Sequence, residues 1–267
     1  MNQQLNQKLA ELRTYLAQFP ELSIAVSGGV DSMLLMYIAA AQNNRAVYAI
    51  HAFSAAVPSQ AHSLVKEYAK QFNWQLKCID VAELEDQNYR KNPANRCYFC
   101  KSNLYKGIAA ASNGIIASGT NTDDLSDYRP GLVAAKENNV VHPYVACDIS
   151  KSDIYALAAL LGLEKLKDLP AQPCLASRVE TGIEITRADL QFIDKVETML
   201  RPYFIANGKN STLRCRVTHA GVYVEADALP QGDTLKAILT SVQNACTEAG
   251  HIFSGVRQYK KGSAFII

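Results

Sequence analysis

The amino-acid sequence predicts an α/β fold, in which a parallel sheet carries helices on both faces and a smaller α+β domain follows. Three observations predict it: strand-like apolar runs alternate with helical stretches in the first 170 residues, polar loops follow two of these strands directly, and the pattern changes after about Thr186. We therefore predict a first domain at 1–170, a connecting loop at 171–185 and a smaller domain at 186–267.

The first domain begins with a helix, because Leu5, Leu9, Leu12 and Leu16 recur at helical spacing. The elements predicted after it are strand 22–26, helix 31–42, strand 46–53, helix 61–72, strand 75–79, a helix starting near residue 99, strand 114–118, strand 140–144 and helix 151–161. Strands that alternate with helices in this way form parallel sheets.

The second domain is predicted from a different pattern. An amphipathic helix at 187–205 precedes strand 212–218, the turn HAG and strand 222–226, which together predict a hairpin. Helix 233–249 and a final strand follow.

Composition excludes several classes of partner. The chain has 27 basic and 25 acidic residues, a net charge of +2, so we expect neither nucleic acid nor an anionic membrane as a partner. The longest apolar run, 33–41, is too short to span a bilayer, and the N-terminus lacks the apolar core of a signal peptide. We expect a cytoplasmic protein.

Seven cysteines in a reducing compartment are free thiols, metal ligands or redox groups rather than structural disulfides. We interpret Cys78, Cys147, Cys215 and Cys246 as buried apolar side chains.

The sequence SGGVDS at 27–32 predicts a loop that binds nucleotide phosphates. Gly28 and Gly29 allow close approach of the backbone to an anion, Ser27 and Ser32 supply hydroxyls, and Asp31 suits Mg²⁺. The helix that follows directs its amides and positive dipole end at the same point. The alternative interpretation is a strand-to-helix turn with a polar cap.

Two other strand ends are expected near this loop, since ligands of parallel sheets bind at the carboxyl ends of the strands. Phe53 ends the second strand, and Gly119 and Asp124 lie in GTNTDD after strand 114–118. Asp127 and Arg129 continue that loop as candidate substrate-binding residues, or as ordinary turn and cap residues.

Cys97 and Cys100 form a Cys-x-x-Cys in the first turn of a predicted helix, where the dipole favours the thiolate. Cys174, in a turn-rich loop, is the candidate third thiolate. From the residues alone, a zinc or iron–sulfur site, a redox pair and inert thiols all remain open.

Five sequence blocks together resemble the LarE family, ATP-dependent sulfur transferases of the PP-loop ATP pyrophosphatase superfamily. The blocks are SGGVDS, NRCYFCKSNLY (95–105), GTNTDDLSDYRPG (119–131), PCLASRVETGIEIT (173–186) and LRCRVTHAGVYVEAD (213–227). The resemblance covers nearly the whole chain.

The resemblance implies a PP-loop fold and an enzyme that forms AMP and pyrophosphate from ATP. The implied reaction adenylates a carboxylate of pyridinium-3,5-biscarboxylic acid mononucleotide and replaces oxygen by sulfur. Cys174 matches the family's sulfur-bearing cysteine. One branch of the family spends that sulfur, and another holds a [4Fe-4S] cluster on three cysteines, which here would be Cys97, Cys100 and Cys174. The resemblance also implies a homo-oligomer, for which a hexamer is the suggested assembly.

The family match also suggests substrate-binding residues. Ser177 and Arg178 follow Cys174, and Arg214 and Arg216 share one face of strand 212–218, where paired guanidinium groups suit a phosphate or a carboxylate. The alternative for the two strand arginines is a solvated outer face.

Glu225 and Asp233 match acidic positions of the family. The sequence departs from the family at QYKKGS (258–263), where a lysine replaces the usual arginine and loses its bidentate geometry.

Two other classes of function remain open. One is a related PP-loop enzyme that thiolates or amidates another small molecule, and the other is an iron–sulfur or ATP-responsive binding protein.

Overall fold

A computed structural model describes residues 2–42, 45–125, 129–167, 173–206, 209–210 and 212–260. The predicted site residue Asp127, the start of the predicted connecting loop and residues 261–263 of QYKKGS lie outside these ranges.

The chain forms two compact units, each built from two segments. The first unit comprises residues 1–83 and 97–172, and the second comprises 84–96 and 173–267. The segment 84–96, which falls inside the predicted first domain, therefore packs with the second unit.

The bounds of the helices and strands follow, in chain order. The helices are α1 (Asn2–Leu16), α2 (Val30–Ala40), α3 (Ser59–Gln71), α4 (Gln87–Arg90), α5 (Arg96–Ala111), α6 (Pro130–Glu137), α7 (Pro143–Ala146), α8 (Lys151–Leu160), α9 (Glu164–Lys167), α10 (Arg187–Leu200) and α11 (Gly232–Ala249). The strands are β1 (Glu21–Ala25), β2 (Ala46–Ala52), β3 (Gln75–Ile79), β4 (Ile115–Ala117), β5 (Ile205–Ala206), β6 (Lys209–Asn210), β7 (Leu213–Thr218), β8 (Gly221–Ala226) and β9 (Phe253–Gln258). Short 3₁₀ helices lie at Glu83–Glu85, Thr122–Leu125, Leu175–Arg178 and Arg201–Phe204.

The first unit contains a four-stranded parallel sheet in the order β3-β2-β1-β4. Ile24 of β1 pairs with Ala49 of β2 and with Ala117 of β4. Because all four strands run the same way, their carboxyl ends lie at one edge of the sheet. The predicted α/β fold, with a smaller sheet domain after it, is confirmed.

Both faces of this sheet are covered by apolar side chains. Ala49 packs in a large core with α1, α2 and α8, whereas its neighbour Ile50 packs on the opposite face with Tyr105 and Ile108 of α5. Helix α2 is buried nearly all round, which explains its uniformly apolar sequence.

Two sequence interpretations of the first unit are wrong. Residues 140–144 are not a strand, because Val141 makes an isolated parallel bridge with Ala117 and Pro143, which has no amide hydrogen, begins α7. Cys78 is exposed rather than buried, and it lies on β3, an edge strand of the sheet.

The second unit is built on the three-stranded sheet β7-β8-β9, against which α10 and α11 pack. The predicted hairpin is present as antiparallel β7 and β8, and β9 adds parallel to β8. Helix α10 ends at Leu200, five residues before the predicted end, and a 3₁₀ turn containing Pro202 follows.

The segment 84–96 is fixed to the second unit by hydrogen bonds from a buried asparagine. The Asn92 side-chain amide donates to the carbonyl oxygen of Glu180 at 2.8 Å, and the main-chain carbonyl oxygen of Asn92 accepts from the Gly182 amide at 3.0 Å. Arg96, also buried, donates to the Asn92 side-chain oxygen at 2.8 Å.

In the part of the chain that the structure covers, none of the helices combines the length and the apolar character needed to cross a membrane.

Candidate functional site

The loop 27–32 follows β1 at the carboxyl edge of the sheet. Gly28 has φ +85°, and a Cβ there would lie 3.1 Å from the backbone oxygen of Ala61, so the position requires glycine. The hydroxyls of Ser27 and Ser32 lie 3.2 Å apart, and Ser32 Oγ donates to the Gly29 carbonyl at 3.1 Å. The loop thus presents two hydroxyls on a closely packed turn.

Helix α2 begins at the end of this loop. Gly29 is its N-cap residue and has no side chain to cap the first amides. Asp31 lies in the first turn, where the helix dipole favours a negative charge. The uncapped end is suited to an anion.

Asp31 is held by groups from three other segments. Lys151 Nζ lies 2.7 and 2.6 Å from the two carboxylate oxygens, and the Asn121 amide nitrogen lies 3.4 Å from one of them. The buried hydroxyl of Tyr144 donates to the main-chain oxygen of Asp31 at 3.0 Å. The structure therefore brings Lys151, Asn121 and Tyr144 to a predicted site residue.

The loop after β4 packs directly on the loop 27–32. A Cβ at Gly119 would lie 2.8 Å from the Ser32 amide nitrogen, so glycine permits this approach. The Asp124 carboxylate accepts from the main-chain amide of Asn121 at 3.1 Å and forms an ion pair with Arg129 at 2.9 Å. These contacts match the turn and cap interpretation of Asp124 and Arg129, and they also stabilise the segment that carries Gly119.

Phe53 and two histidines lie beside the loop. The Phe53 ring is 56% exposed and lies 4.6 Å from the His62 ring, which stacks on His51 at 5.1 Å. His51 Nδ1 lies 2.7 Å from the carbonyl oxygen of Val26, the residue before Ser27. Burial lowers the pKa of His51 and of His62, and the nearby Lys66 lowers both further.

Cys97 and Cys100 are the second and fifth residues of α5, close to the helix start as predicted, and both thiols are half-buried. Residues three apart share one side of a helix, so the two thiols can serve one ligand. Burial raises the pKa of the thiols of Cys147, Cys215 and Cys246, the last to about 11, which fits their interpretation as inert apolar residues.

Cys174 belongs to the second unit and precedes the 3₁₀ helix Leu175–Arg178. Arg178 holds this loop: Nη1 donates to the carbonyl oxygens of Pro173 (2.7 Å) and Cys174 (3.1 Å) and lies 3.1 Å from Ser177 Oγ. Its Nε and Nη2 each donate to the Glu197 carboxylate at 2.9 Å. Arg178 therefore fixes the backbone around Cys174, with its guanidinium fully engaged.

A second buried ion pair supports the same loop. Arg216 Nε donates to Glu225 at 2.9 Å, and Nη1 donates to the Ser177 carbonyl at 2.5 Å. Arg257 pairs with the other oxygen of Glu225 at 2.9 Å. Burial alone would raise the pKa of the Glu225 carboxyl, but the hydrogen bonds and charges of the two arginines hold the pKa below its ordinary value.

Arg214 differs from its strand neighbour. Its Nη1 donates to the Leu213 carbonyl at 2.7 Å, and no carboxylate of the described residues forms an ion pair with it. Burial and the positive charge of Arg178 lower the pKa of Arg214 to about 10. The environment of Arg214 therefore favours a bound anion.

Asp233 is not part of this group, since its side chain is 96% exposed and pairs with Lys236. Within either unit taken by itself, the described residues include no three His, Cys, Asp or Glu side chains grouped as metal ligands. The three cysteines of the predicted cluster are divided between the units, with Cys97 and Cys100 in the first and Cys174 in the second.

Sequence reasoning missed two charged residues that the structure places in these sites. Glu197 carried a signal, because it lies four residues after Ile193 and three before Leu200, on the apolar face of an amphipathic helix. Lys151 had a weaker one: a lysine at the start of a helix opposes the helix dipole.

We expect Glu197→Gln to destabilise the second unit strongly. The change leaves the buried Arg178 guanidinium without its counter-charge and weakens the bond from the Cys215 amide, which donates to Glu197 at 3.0 Å. Breaking a buried pair costs about 3–5 kcal/mol. Urea unfolding measures the loss, and Glu248→Gln is the control, because the exposed pair with Lys195 contributes about 0–1 kcal/mol. Equal effects of the two substitutions would contradict the assignment.

His51 should make the stability of the first unit depend on pH. Its pKa is lowered in the folded chain, so the stabilisation is present above the unfolded pKa of 6.5 and is lost as pH falls through 6.5 toward the folded value. Between pH 7.5 and 5 we expect the free energy of unfolding of wild type to fall by up to about 1.4 kcal/mol per pH unit more than that of His51→Gln. Urea unfolding across this range tests it, with the exposed His219→Gln as control. Parallel curves for wild type and His51→Gln would refute the role of His51.

Comparison with known proteins identifies relatives along most of the chain, although no protein-family model matches it. The uncharacterised protein slr1717 of Synechocystis is 38% identical over 204 residues, which cover 74% of this chain and 75% of slr1717. The uncharacterised protein MJ0830 of Methanocaldococcus jannaschii is 31% identical over 187 residues, covering 68% and 70% of the two chains.

A third relative has a named activity. The pyridinium-3,5-bisthiocarboxylic acid mononucleotide synthase of Lactiplantibacillus plantarum is 28% identical over 199 residues, covering 73% of this chain and 72% of the synthase. This similarity agrees with the five sequence blocks, and the fold agrees with both. The chain therefore belongs to the LarE family.

Proposed function

We propose that the protein is an ATP-dependent sulfur transferase that acts on a carboxylate of pyridinium-3,5-biscarboxylic acid mononucleotide. The observation that carries the proposal is the loop 27–32, where a glycine with positive φ, two hydroxyls and Asp31 meet at the carboxyl edge of a parallel sheet. The similarity to the Lactiplantibacillus synthase supports sulfur transfer to this class of substrate.

The first step activates the carboxylate. One of its oxygens attacks the α-phosphorus of ATP, the bond from that phosphorus to the α–β bridging oxygen breaks, and pyrophosphate leaves. The hydroxyls of Ser27 and Ser32 and the first amides of α2 would bind the pyrophosphate charge as it develops. Asp31 has the hard oxygen ligands that Mg²⁺ prefers, and the ion would offset phosphate charge there.

The second step introduces sulfur. A sulfur nucleophile attacks the acyl carbon, and AMP leaves with the former carboxylate oxygen. Cys174 is the candidate for holding that sulfur. Its backbone is fixed by Arg178 and, through Ser177, by Arg216, so a sulfur on Cys174 would be held in a defined place.

Arg214 is the best candidate to bind the substrate. Arg178 and Arg216 have Glu197 and Glu225 as counter-charges, whereas the charge of Arg214 is partly desolvated and forms no ion pair with a carboxylate of the described residues. A phosphate or carboxylate of the mononucleotide would supply it through charge-assisted hydrogen bonds. We thus narrow the predicted substrate-binding arginines to Arg214, with Arg178 and Arg216 as positioning residues.

For the sulfur source, we propose a [4Fe-4S] cluster held by Cys97, Cys100 and Cys174. Thiolates are the ligands of such clusters, and Cys97 and Cys100 are accessible on one side of a helix. A cluster bound by three protein thiolates would leave one iron able to carry a transferable sulfide. The competing proposal is that Cys174 gives up its own sulfur and becomes dehydroalanine. The homo-oligomer stays a prediction.

Product analysis tests the reaction. Incubation with ATP, Mg²⁺ and the biscarboxylic mononucleotide should give AMP, pyrophosphate and thiocarboxylate in equal amounts, measured by chromatography and mass spectrometry. Asp31→Asn should slow the formation of all three about a hundredfold or more, because a neutral amide binds Mg²⁺ much less strongly than a carboxylate, and the phosphate charge would then not be offset. Asp233→Asn, at the exposed start of α11, is the control and should leave the rate unchanged. Release of ADP in place of AMP would overturn the proposal.

Iron and sulfide analysis after anaerobic reconstitution tests the cluster. About four irons and four sulfides per chain are expected, with loss on replacing Cys97, Cys100 or Cys174 by serine. Cys78→Ser, which alters an exposed thiol of the first unit, should bind as much iron and sulfide as wild type does. A Cys174→Ser protein with a full cluster would refute the ligand set. A loss of one H₂S from the protein mass after turnover would support the competing proposal.

A further inference from the structure

We propose that Lys151 is a phosphate-binding residue that occupies Asp31 when no nucleotide is bound and moves to the triphosphate when Mg²⁺·ATP arrives. The inference rests on the proposed ATP site. Beyond that site, the inference assigns a role to Lys151 and explains why Mg²⁺ and ATP would bind together.

In the ion pair between Lys151 and Asp31, the ammonium group lies where a metal ion bound to the carboxylate would lie. The ammonium group of Lys151 lies 2.7 and 2.6 Å from the two oxygens of Asp31, so both acceptors face the same cation. Mg²⁺ binds carboxylate oxygens at about 2.0–2.1 Å and carries two positive charges. A Mg²⁺ ion binding on the side of the carboxylate that the ammonium group occupies would therefore displace the ammonium group.

The cap of α8 does not explain a lysine at this position. Ser150 and Asp153 already form a capping box, in which the Ser150 hydroxyl accepts from the Asp153 amide and the Asp153 carboxylate accepts from the Ser150 amide. Lys151 is the first residue of the helix, where a positive charge opposes the dipole. Within α8 its ammonium group lies 5.2 Å from the centre of the Tyr155 ring, but both of its hydrogen bonds to a carboxylate go to Asp31, in a different segment of the same unit.

Asp31 is also in a favourable place without the lysine. It lies in the first turn of α2, whose dipole stabilises a carboxylate. Its backbone is fixed by the Tyr144 hydroxyl, and Gly119 packs against the peptide that follows it. The carboxylate can thus remain in place when the ammonium group leaves.

Lysine can move where Asp31 cannot. Both side chains of the pair are partly exposed, so solvent or a ligand reaches them, and the lysine has four rotatable methylene bonds. Ser27 and Ser32, the hydroxyls expected to bind phosphate, belong to the same loop as Asp31. A triphosphate bound there would offer the ammonium group stronger acceptors than one carboxylate.

Two binding measurements that require no turnover test the exchange. The first is Mn²⁺ binding without nucleotide, followed by electron paramagnetic resonance, and the second is calorimetry with α,β-methylene-ATP and Mg²⁺. Lys151→Met should bind Mn²⁺ several-fold more tightly than wild type, because Asp31 is no longer occupied. The same variant should bind the ATP analogue about tenfold more weakly, because it lacks a charge-assisted contact.

Two further variants make the test specific. Lys151→Arg keeps the charge and should retain most of the analogue affinity without gaining affinity for Mn²⁺. Lys8→Met is the matched control: it removes another lysine–carboxylate pair of the first unit, 2.7 Å from Asp153 on the same helix α8, and should behave as wild type in both measurements.

The outcomes separate this inference from the proposed function. If wild type binds no ATP analogue, the proposed ATP site is wrong, and the role of Lys151 falls with it. If wild type binds the analogue and Lys151→Met matches it in both measurements, only the role of Lys151 is wrong. Weaker analogue binding with no gain for Mn²⁺ would also overturn the exchange, because Asp31 would then not have been occupied by the lysine.

Discussion

Parallel pairing of β1 with β2 on one side and β4 on the other is the constraint on which the first unit depends. It brings the ends of these strands to one edge, and Asp31, Phe53 and Gly119 follow from that edge. The loop after β4 can lie against the loop 27–32 because Gly119 has no side chain. Asp31 lies in the first turn of the buried helix α2, which fixes its backbone. The sheet thus sets the positions of the loops, and the loops carry the side chains of the candidate site.

The second unit relies on charge neutralisation. Two buried guanidinium groups, Arg178 and Arg216, would be costly alone, and each has a buried carboxylate as its partner. Both arginines also donate to the loop that carries Cys174, which links the packing of α10 and β8 to the backbone around that cysteine. Arg214 is close to these pairs but forms no ion pair with a carboxylate in the part of the chain that the structure describes, so it has the most to gain from a bound anion.

The sequence predicted the α/β fold because strand–helix alternation and the loop SGGVDS are local signals. It also predicted the hairpin and the position of the Cys-x-x-Cys close to the start of α5. It failed at residues 140–144, where apolar character suggested a strand but Pro143 starts a helix. The exposure of Cys78 depends on the order of strands in the sheet, which no local pattern encodes.

The contacts of the site were harder to predict than its members. Arg178 and Arg216 were expected to bind substrate, but Arg178 pairs with Glu197 on the separate helix α10, 19 residues away, and Arg216 pairs with Glu225 across the hairpin. The pairing of Arg178 could not be inferred from spacing. Lys151 is 120 residues from Asp31 in the chain, and only the fold joins them. Periodicity identifies which face of an element a residue occupies, whereas the partner on the opposite element depends on tertiary structure.

The division of the chain into units has a consequence for its topology. The chain passes from one unit to the other at 83/84, again at 96/97 and again at 172/173. No single cut can therefore separate the two units, and a fragment ending near residue 170 would carry Asn92 without its hydrogen-bond partners Glu180 and Gly182. Two of the three crossings also lie next to the candidate cysteines, since Cys97 opens one segment and Cys174 is the second residue of another. Two of the three chain connections between the units thus lie next to cysteines for which sulfur chemistry is proposed, and the two units have to be expressed as one chain.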